Sequence, residues 1–190
     1  MSDSLPLIVG LGGTTRPGSS SERALNLALA HARAMGCHTL VFGGSQLPTD
    51  LFDPGRPQRS DAARALVDAL RRADGVVVAT PAYHGGVSGL VKNALDFTED
   101  LRDDARPYFS GRAVGCIVCA DGAQALGATL AALRAVVHSL RGWPTPYGAT
   151  LSTLSRPFDA EGHADPVTQQ ALETVAAEVV GFARLQRLAR

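Results

Sequence analysis

The sequence predicts an open α/β domain: a doubly wound, mostly parallel sheet with helices on both faces. Three observations predict it. Five apolar β-type runs alternate with five helical patterns along the 190 residues. The runs are apolar almost throughout rather than alternating, as expected of strands covered on both sides. No repeat and no long linker divides the chain, so residues 1–190 read as one domain.

Taken in order, the first strand is Leu5 to Gly12, LPLIVGLG, followed by a Gly/Ser/Thr/Pro turn and a helix over about Ser21 to Met35. Gly36 stands where a helix C-terminus favours glycine. His38 to Phe42 makes the second strand, and Gly43 to Gln58, rich in Gly, Pro and Asp, reads as a loop. The next helix spans about Ser60 to Ala73, with Ala63, Leu66, Val67 and Leu70 on one face. Gly75 to Thr80, GVVVAT, carries the strongest strand signal, and Pro81 is expected to stiffen its exit. A helix near Leu90 to Arg102 follows, then a fourth strand, Ala113 to Ala120, and a fourth helix, Gly122 to Leu140. Thr145 to Leu151 is a weakly signalled fifth strand, and a polar loop to Pro166 precedes the last helix, Val167 to Leu188.

Composition excludes several function classes. Lys plus Arg equals Asp plus Glu at 18 each, so no net charge draws the chain to nucleic acid or to a membrane. Met1-Ser2-Asp3-Ser4 leads straight into the first apolar run with no secretory pattern, and no apolar stretch reaches membrane-spanning length. Three cysteines, Cys37, Cys116 and Cys119, argue against a secreted disulfide framework. The expected location is the cytoplasm. Cys116 and Cys119 have redox-motif spacing, but inside a strand positions i and i+3 point to opposite faces, so both read as core. The scattered histidines have no metal-ligand spacing, and no side-chain nucleophile stands out.

In such a sheet, ligands sit beyond the carboxyl ends of the strands where strand order reverses. The loop after the first strand, Gly12-Gly13-Thr14-Thr15-Arg16-Pro17-Gly18-Ser19-Ser20-Ser21, gathers hydroxyls and an arginine before a helix N-terminus. Free N–H groups, a positive dipole end and charge-assisted bonds from Arg16 suit a phosphate monoester. An N-capping serine alone explains one hydroxyl, not the set. Gly13 to Gly18 has P-loop spacing, but Ser19 stands in place of the lysine, and Thr15 replaces the third glycine of a dinucleotide fingerprint. The loop after the third strand, Thr80-Pro81-Ala82-Tyr83-His84-Gly85-Gly86-Val87-Ser88-Gly89, leaves bare backbone amides that can approach a flat ring. Tyr83 there is either a stacking residue or a core tyrosine under a turn. After the fourth strand, Asp121 is expected to cap the helix that follows.

These loops resemble the NAD(P)H-dependent FMN reductases, a flavodoxin-like family. Its motif G-S-x-R-x-x-S-x-N is met by Gly13-Thr14-Thr15-Arg16-Pro17-Gly18-Ser19-Ser20-Ser21, with Ser21 in place of the asparagine. Its more specific motif P-x-Y-x-x-x-x-P-G-x-L-K-N-x-x-D is met by Pro81, Tyr83, Gly89, Lys92, Asn93 and Asp96, with Ser88 for proline, as in alkanesulfonate-type reductases, and Val91 for leucine. The resemblance implies a three-layer sandwich whose five-stranded parallel sheet has the order 2-1-3-4-5. It implies that Thr14, Arg16, Ser19 and Ser21, with Ser20 beside them, hold the FMN phosphate. Pro81, Ala82, Tyr83, His84, Gly85 and Gly86 would line the isoalloxazine, with Asp121 and Gly122 at the third loop. Lys92, Asn93 and Asp96 would hold the loop and helix.

The implied activity is hydride transfer from NADPH or NADH to bound FMN and on to a second acceptor. That acceptor is free flavin, for a monooxygenase partner, or else a quinone, azo compound or metal ion. No catalytic side chain and no metal are expected, because the flavin carries the chemistry. The absence of tyrosine between Gly122 and Leu140 favours FMN as a resident group. An electron-transfer flavodoxin without nicotinamide activity is the alternative of another class, although flavodoxins are acidic and this chain is neutral. A phosphate-binding regulatory module is a third. A homodimer or homotetramer is implied, with Thr98 to Ser110, carrying Tyr108 and Phe109, and Trp143-Pro144 as contact candidates.

Overall fold

The computed structural model describes residues 5–189; the reading of Met1 to Ser4 lies outside them. The elements run β1 (Leu7–Gly12), α1 (Ser20–Ala34), β2 (His38–Gly43), α2 (Asp61–Arg72), β3 (Gly75–Tyr83), β4 (Gly86–Val87), α3 (Gly89–Asp96), β5 (Ala113–Ala120), α4 (Ala123–Ser139), β6 (Trp143–Pro144), β7 (Ala149–Ser152) and α5 (Pro166–Leu188). The main sheet has the order β2-β1-β3-β5-β6, with β7 also pairing β5, and these pairs are parallel.

The main sheet has the expected five positions and order, but the strand count is seven. The fifth position is split because Pro144 and Pro146 interrupt the edge: β6 and β7 each pair with β5, and residues 145–148 bulge between them. The bulge is tied down by Thr145 N–H to Val114 O at 3.0 Å and Tyr147 N–H to the Glu178 carboxylate at 2.9 Å. The seventh strand is β4, a two-residue antiparallel partner for the end of β3.

The unbroken apolar run of β3 follows from its position. Val76 and Val78 enter one core cluster with α2, α3 and α4. Val77 and Ala79 enter the other with α1 and α5. Cys116 and Cys119 divide between the clusters in the same way, and burial pushes both thiols up to about 12. The pair forms no joint site.

Other corrections are local. β3 continues through Pro81 to Tyr83 instead of ending at Thr80. β1 accompanies β3 only as far as Ala79, so Pro81 lies where β3 has a main-sheet neighbour on one side, in register with Cys119 of β5. A missing N–H is tolerated there. The helix expected to reach Arg102 gives way at Asp96 to a 3-10 turn, Phe97–Leu101, which buries Phe97 and Leu101. Phe109, a contact candidate, is fully buried, and the half-buried Tyr108 donates its hydroxyl to Glu99 at 3.1 Å. Trp143, 60% exposed, remains on the surface. No helix among the described residues is long and apolar enough to cross a membrane.

Candidate functional site

The register of β1 against β3 decides where the site forms. Gly12, the last residue of β1, pairs with Ala79, so the first loop leaves alongside β3, which runs on to Tyr83. Gly12 sits at φ 143°, and a Cβ there would lie 1.9 Å from Ala79 O; only glycine lets the first loop leave so close to β3. Gly13 N–H then donates to Ala79 O at 3.0 Å.

Beyond that point the first loop is held by its own groups. Thr14 Oγ1 accepts from Arg16 N–H at 3.1 Å. Ser19 is the N-cap of α1, and its hydroxyl oxygen accepts from Glu22 N–H at 3.3 Å. Glu22 reaches back to accept from Gly18 N–H at 2.7 Å, much as in a capping box. Ser21 Oγ lies 3.4 Å from Ser19 Oγ. At the first two helical positions, Ser20 and Ser21, the backbone N–H groups have no acceptor within the helix. The exposed Arg16 guanidinium makes no hydrogen bond or ion pair among the described residues. Two open amides, several hydroxyls and an uncommitted guanidinium at a helix N-terminus are a donor set that fits a phosphate monoester.

The third-strand loop is a tight hairpin. Ala82 pairs with Val87 and Tyr83 with Gly86, leaving His84 and Gly85 as a two-residue turn at φ 53° and 77°. Two successive positive φ values are the signature of a type I′ turn. Tyr83 is 57% exposed, so the core-tyrosine alternative is excluded. The hairpin's return leg is fastened by Ser88, whose N–H donates to Thr80 Oγ1 at 3.1 Å and whose hydroxyl caps α3 by accepting from Val91 N–H at 3.3 Å. The serine that replaces the family's proline thus does the work of a helix cap. Asn93 ties down the loop after β2: Nδ2 donates to Pro48 O and Asp50 O, and Oδ1 accepts from Phe52 N–H at 2.9 Å. Lys92 pairs with Asp96 along the surface of α3 at 2.6 Å.

A cleft of about 350 Å³ opens where these segments meet. Thr14, Arg16, Ser19, Ser20 and Ser21 line one part of it, and Pro81, Ala82 and Tyr83 another. Asp121 and Gly122 line a third. His84 and Gly85 lie at the exposed hairpin tip with Gly86 beside them, and none of the three lines the cleft. Four lining residues were not among those expected to bind: Cys119, read only as core, Ala120, Ala125 and Thr153. The first two end β5, where Cys119 is in register with Pro81 of β3.

Asp121 does not cap α4. The N-cap is Gly122, without a side-chain bond. The Asp121 carboxylate instead accepts from the Thr153 hydroxyl, while Asp121 O accepts from Ser152 Oγ at 3.2 Å. The loop after β5 is thereby stitched to the end of β7.

The model of the NADPH-dependent FMN reductase family matches residues 6–153. The chain belongs to that family. Among its curated relatives is the FMN-dependent NADPH-azoreductase of Staphylococcus aureus, 27% identical over 139 residues that cover 70% of each chain. Among solved structures, an oxidoreductase from Corynebacterium diphtheriae superposes with a TM-score of 0.72 at 21% identity, covering 95% of this chain and 98% of that one. The flavoenzyme NAD(P)H:(acceptor) oxidoreductase of Paracoccus denitrificans superposes with a TM-score of 0.68 at 18% identity, covering 96% and 99%. These superpositions establish the flavodoxin-like fold. Membership of the reductase family makes the chain an NAD(P)H-dependent flavin oxidoreductase, with FMN as cofactor and a reduced nicotinamide as co-substrate.

Proposed function

We propose that residues 1–190 act as one FMN-binding domain that carries electrons from NADPH or NADH to a small acceptor, free flavin in the first instance. The observation that carries this reading is the uncommitted Arg16 guanidinium beside the open N-terminus of α1, in the same cleft as the β3–β4 hairpin. In this reading Arg16, Thr14 and the Ser19–Ser21 turn bind the phosphate. Pro81, Ala82 and Tyr83 flank the ring on one side, and Asp121 and Gly122 on the other. His84, Gly85 and Gly86 act indirectly, by holding Tyr83 in place.

Bound FMN supplies the two-electron chemistry. The chain supplies position: Ala82 and Tyr83 would fix the ring edge, and the buried Pro81 and Cys119 line the same cleft. Cys119 takes no part as a nucleophile, since burial pushes its thiol up to about 12. Nor does the site need a side-chain acid or base.

A second acceptor reading, an azo compound, is favoured by the name of the Staphylococcus aureus relative. Further proposals are a cytoplasmic location, FMN as a resident group, a homodimer or homotetramer, and delivery of reduced flavin to a monooxygenase. Anaerobic stopped-flow with each nicotinamide, followed by free FMN, a quinone and an azo dye, separates the acceptors. Bleaching of the bound flavin and fast reoxidation by free FMN are expected. A protein that binds FMN but is not reduced by either nicotinamide would contradict the reading and favour a one-way electron carrier.

A further inference from the structure

Arg16 and Asp121 are the two charged residues that line the cleft. They belong to loops that leave β1 and β5, and β3 lies between those strands. Two strand spacings, about 10 Å, therefore separate the two strands laterally, and β5 runs three residues beyond the level at which β1 ends. A phosphate held by Arg16 over the end of β1 directs the rest of the ligand across β3 toward β5 and Asp121. The carboxylate consequently meets the end of the ligand that takes up electrons.

The carboxylate is also fixed. Its partner Thr153 follows β7, and the second link, Ser152 Oγ to Asp121 O at 3.2 Å, comes from the neighbouring residue. Ser152 is itself braced where Ser155 Oγ donates to its carbonyl at 2.8 Å. Two links from one short segment hold Asp121 at the cleft wall, whereas an exposed aspartate on a loop would otherwise swing into solvent. A fixed negative charge opposes the gain of negative charge beside it, the more so once the ligand excludes water.

Resting on the FMN reading above, we infer that Asp121, positioned by Thr153, weakens binding of reduced FMN relative to oxidised FMN and so makes the bound flavin the stronger reductant. Thr153 is a positioning residue, acting through Asp121. The inference concerns affinities of two oxidation states, so it is read without turnover.

The test uses the holoprotein and measures the reduction potential of bound FMN against a reference dye, with dissociation constants for oxidised FMN and for riboflavin. Asp121→Asn can still accept the Thr153 hydrogen bond but has no charge. It is expected to raise the relative affinity for reduced FMN by about threefold to tenfold, a potential rise of about 15 to 30 mV. Asp121→Ala is expected to shift it in the same direction. Thr153→Val keeps the charge but removes the link that holds it at the cleft wall; it is expected to raise the potential in the same direction as Asp121→Asn, by a smaller amount. An unchanged or lowered potential in Asp121→Asn or in Thr153→Val would overturn the inference. A wild-type protein that binds FMN no more tightly than riboflavin would overturn the phosphate reading beneath it, a failure that the riboflavin comparison identifies separately.

Discussion

Arg16 and Ser19 lie three residues apart and are used differently. Ser19 is buried, and its hydroxyl oxygen is engaged by Glu22 N–H, so it serves α1 as well as any ligand. Replacing it removes a helix cap, at about 1 kcal/mol, and confounds binding with stability. Arg16 is exposed and has no protein partner among the described residues, which makes it the cleaner probe. Arg16→Ala is expected to leave the thermal midpoint of the FMN-free protein unchanged. It should weaken FMN binding about tenfold or more, because a hydrogen bond to a charged group is worth about 1.5–3 kcal/mol. Riboflavin, which lacks the phosphate, should bind both proteins equally in a fluorescence titration; equal losses for the two ligands would remove Arg16 from the phosphate site. The residue types of this loop were legible in the sequence because hydroxyls, arginine and glycine have local reasons to precede a helix. Thr153 was not, since its partner Asp121 is 32 positions away and nothing local marks either residue for the other.

The hairpin shows the same boundary between local and long-range information at the scale of an element. Pro81, Tyr83 and the glycines announced a turn, but β4 consists of two residues, too few to carry a periodic signal. The structure gives His84 a positive φ of 53°, a conformation that asparagine tolerates better than most residues and β-branched residues resist. His84→Asn is therefore expected to be neutral or slightly stabilising. His84→Val should cost about 1 kcal/mol or more, read as a lower thermal midpoint, and loosen Tyr83. If valine is tolerated as well as asparagine in thermal denaturation, the turn assignment is wrong. The fifth sheet position taught a related lesson. The signal over Thr145 to Leu151 is weak because Pro146 and Gly148 interrupt it, and the strand there, β7, begins only at Ala149, with the short β6 before it. The break matters to the site, since β7 ends at Ser152 and brings Thr153, which follows it, beside the loop after β5.

At the scale of the whole molecule, the sheet separates two cores and places chemistry at its carboxyl edge. The unbroken apolar runs of β3 and β5 were enough to predict that both faces are covered, and the strand period that Cys116 and Cys119 do not meet. Their burial has a pH signature. Each thiol is raised in the folded protein from 9.0 to about 12, so the stability that keeps it protonated is complete below pH 9 and lost as pH rises toward about 12. Urea midpoints should fall through that window, and the fall should be shallower in a Cys116→Ala/Cys119→Ala protein; identical slopes would contradict the burial of these thiols. The central claim is that the cradle before α1 and the hairpin after β3 serve one ligand. The most direct measurement is a crystal structure of the chain with FMN. The account predicts the phosphate within hydrogen-bond distance of the Ser20 and Ser21 amides and Arg16, with the ring between Tyr83 and Gly122. A phosphate bound away from the α1 N-terminus, or a ring that does not touch the Pro81–Tyr83 segment, would contradict it.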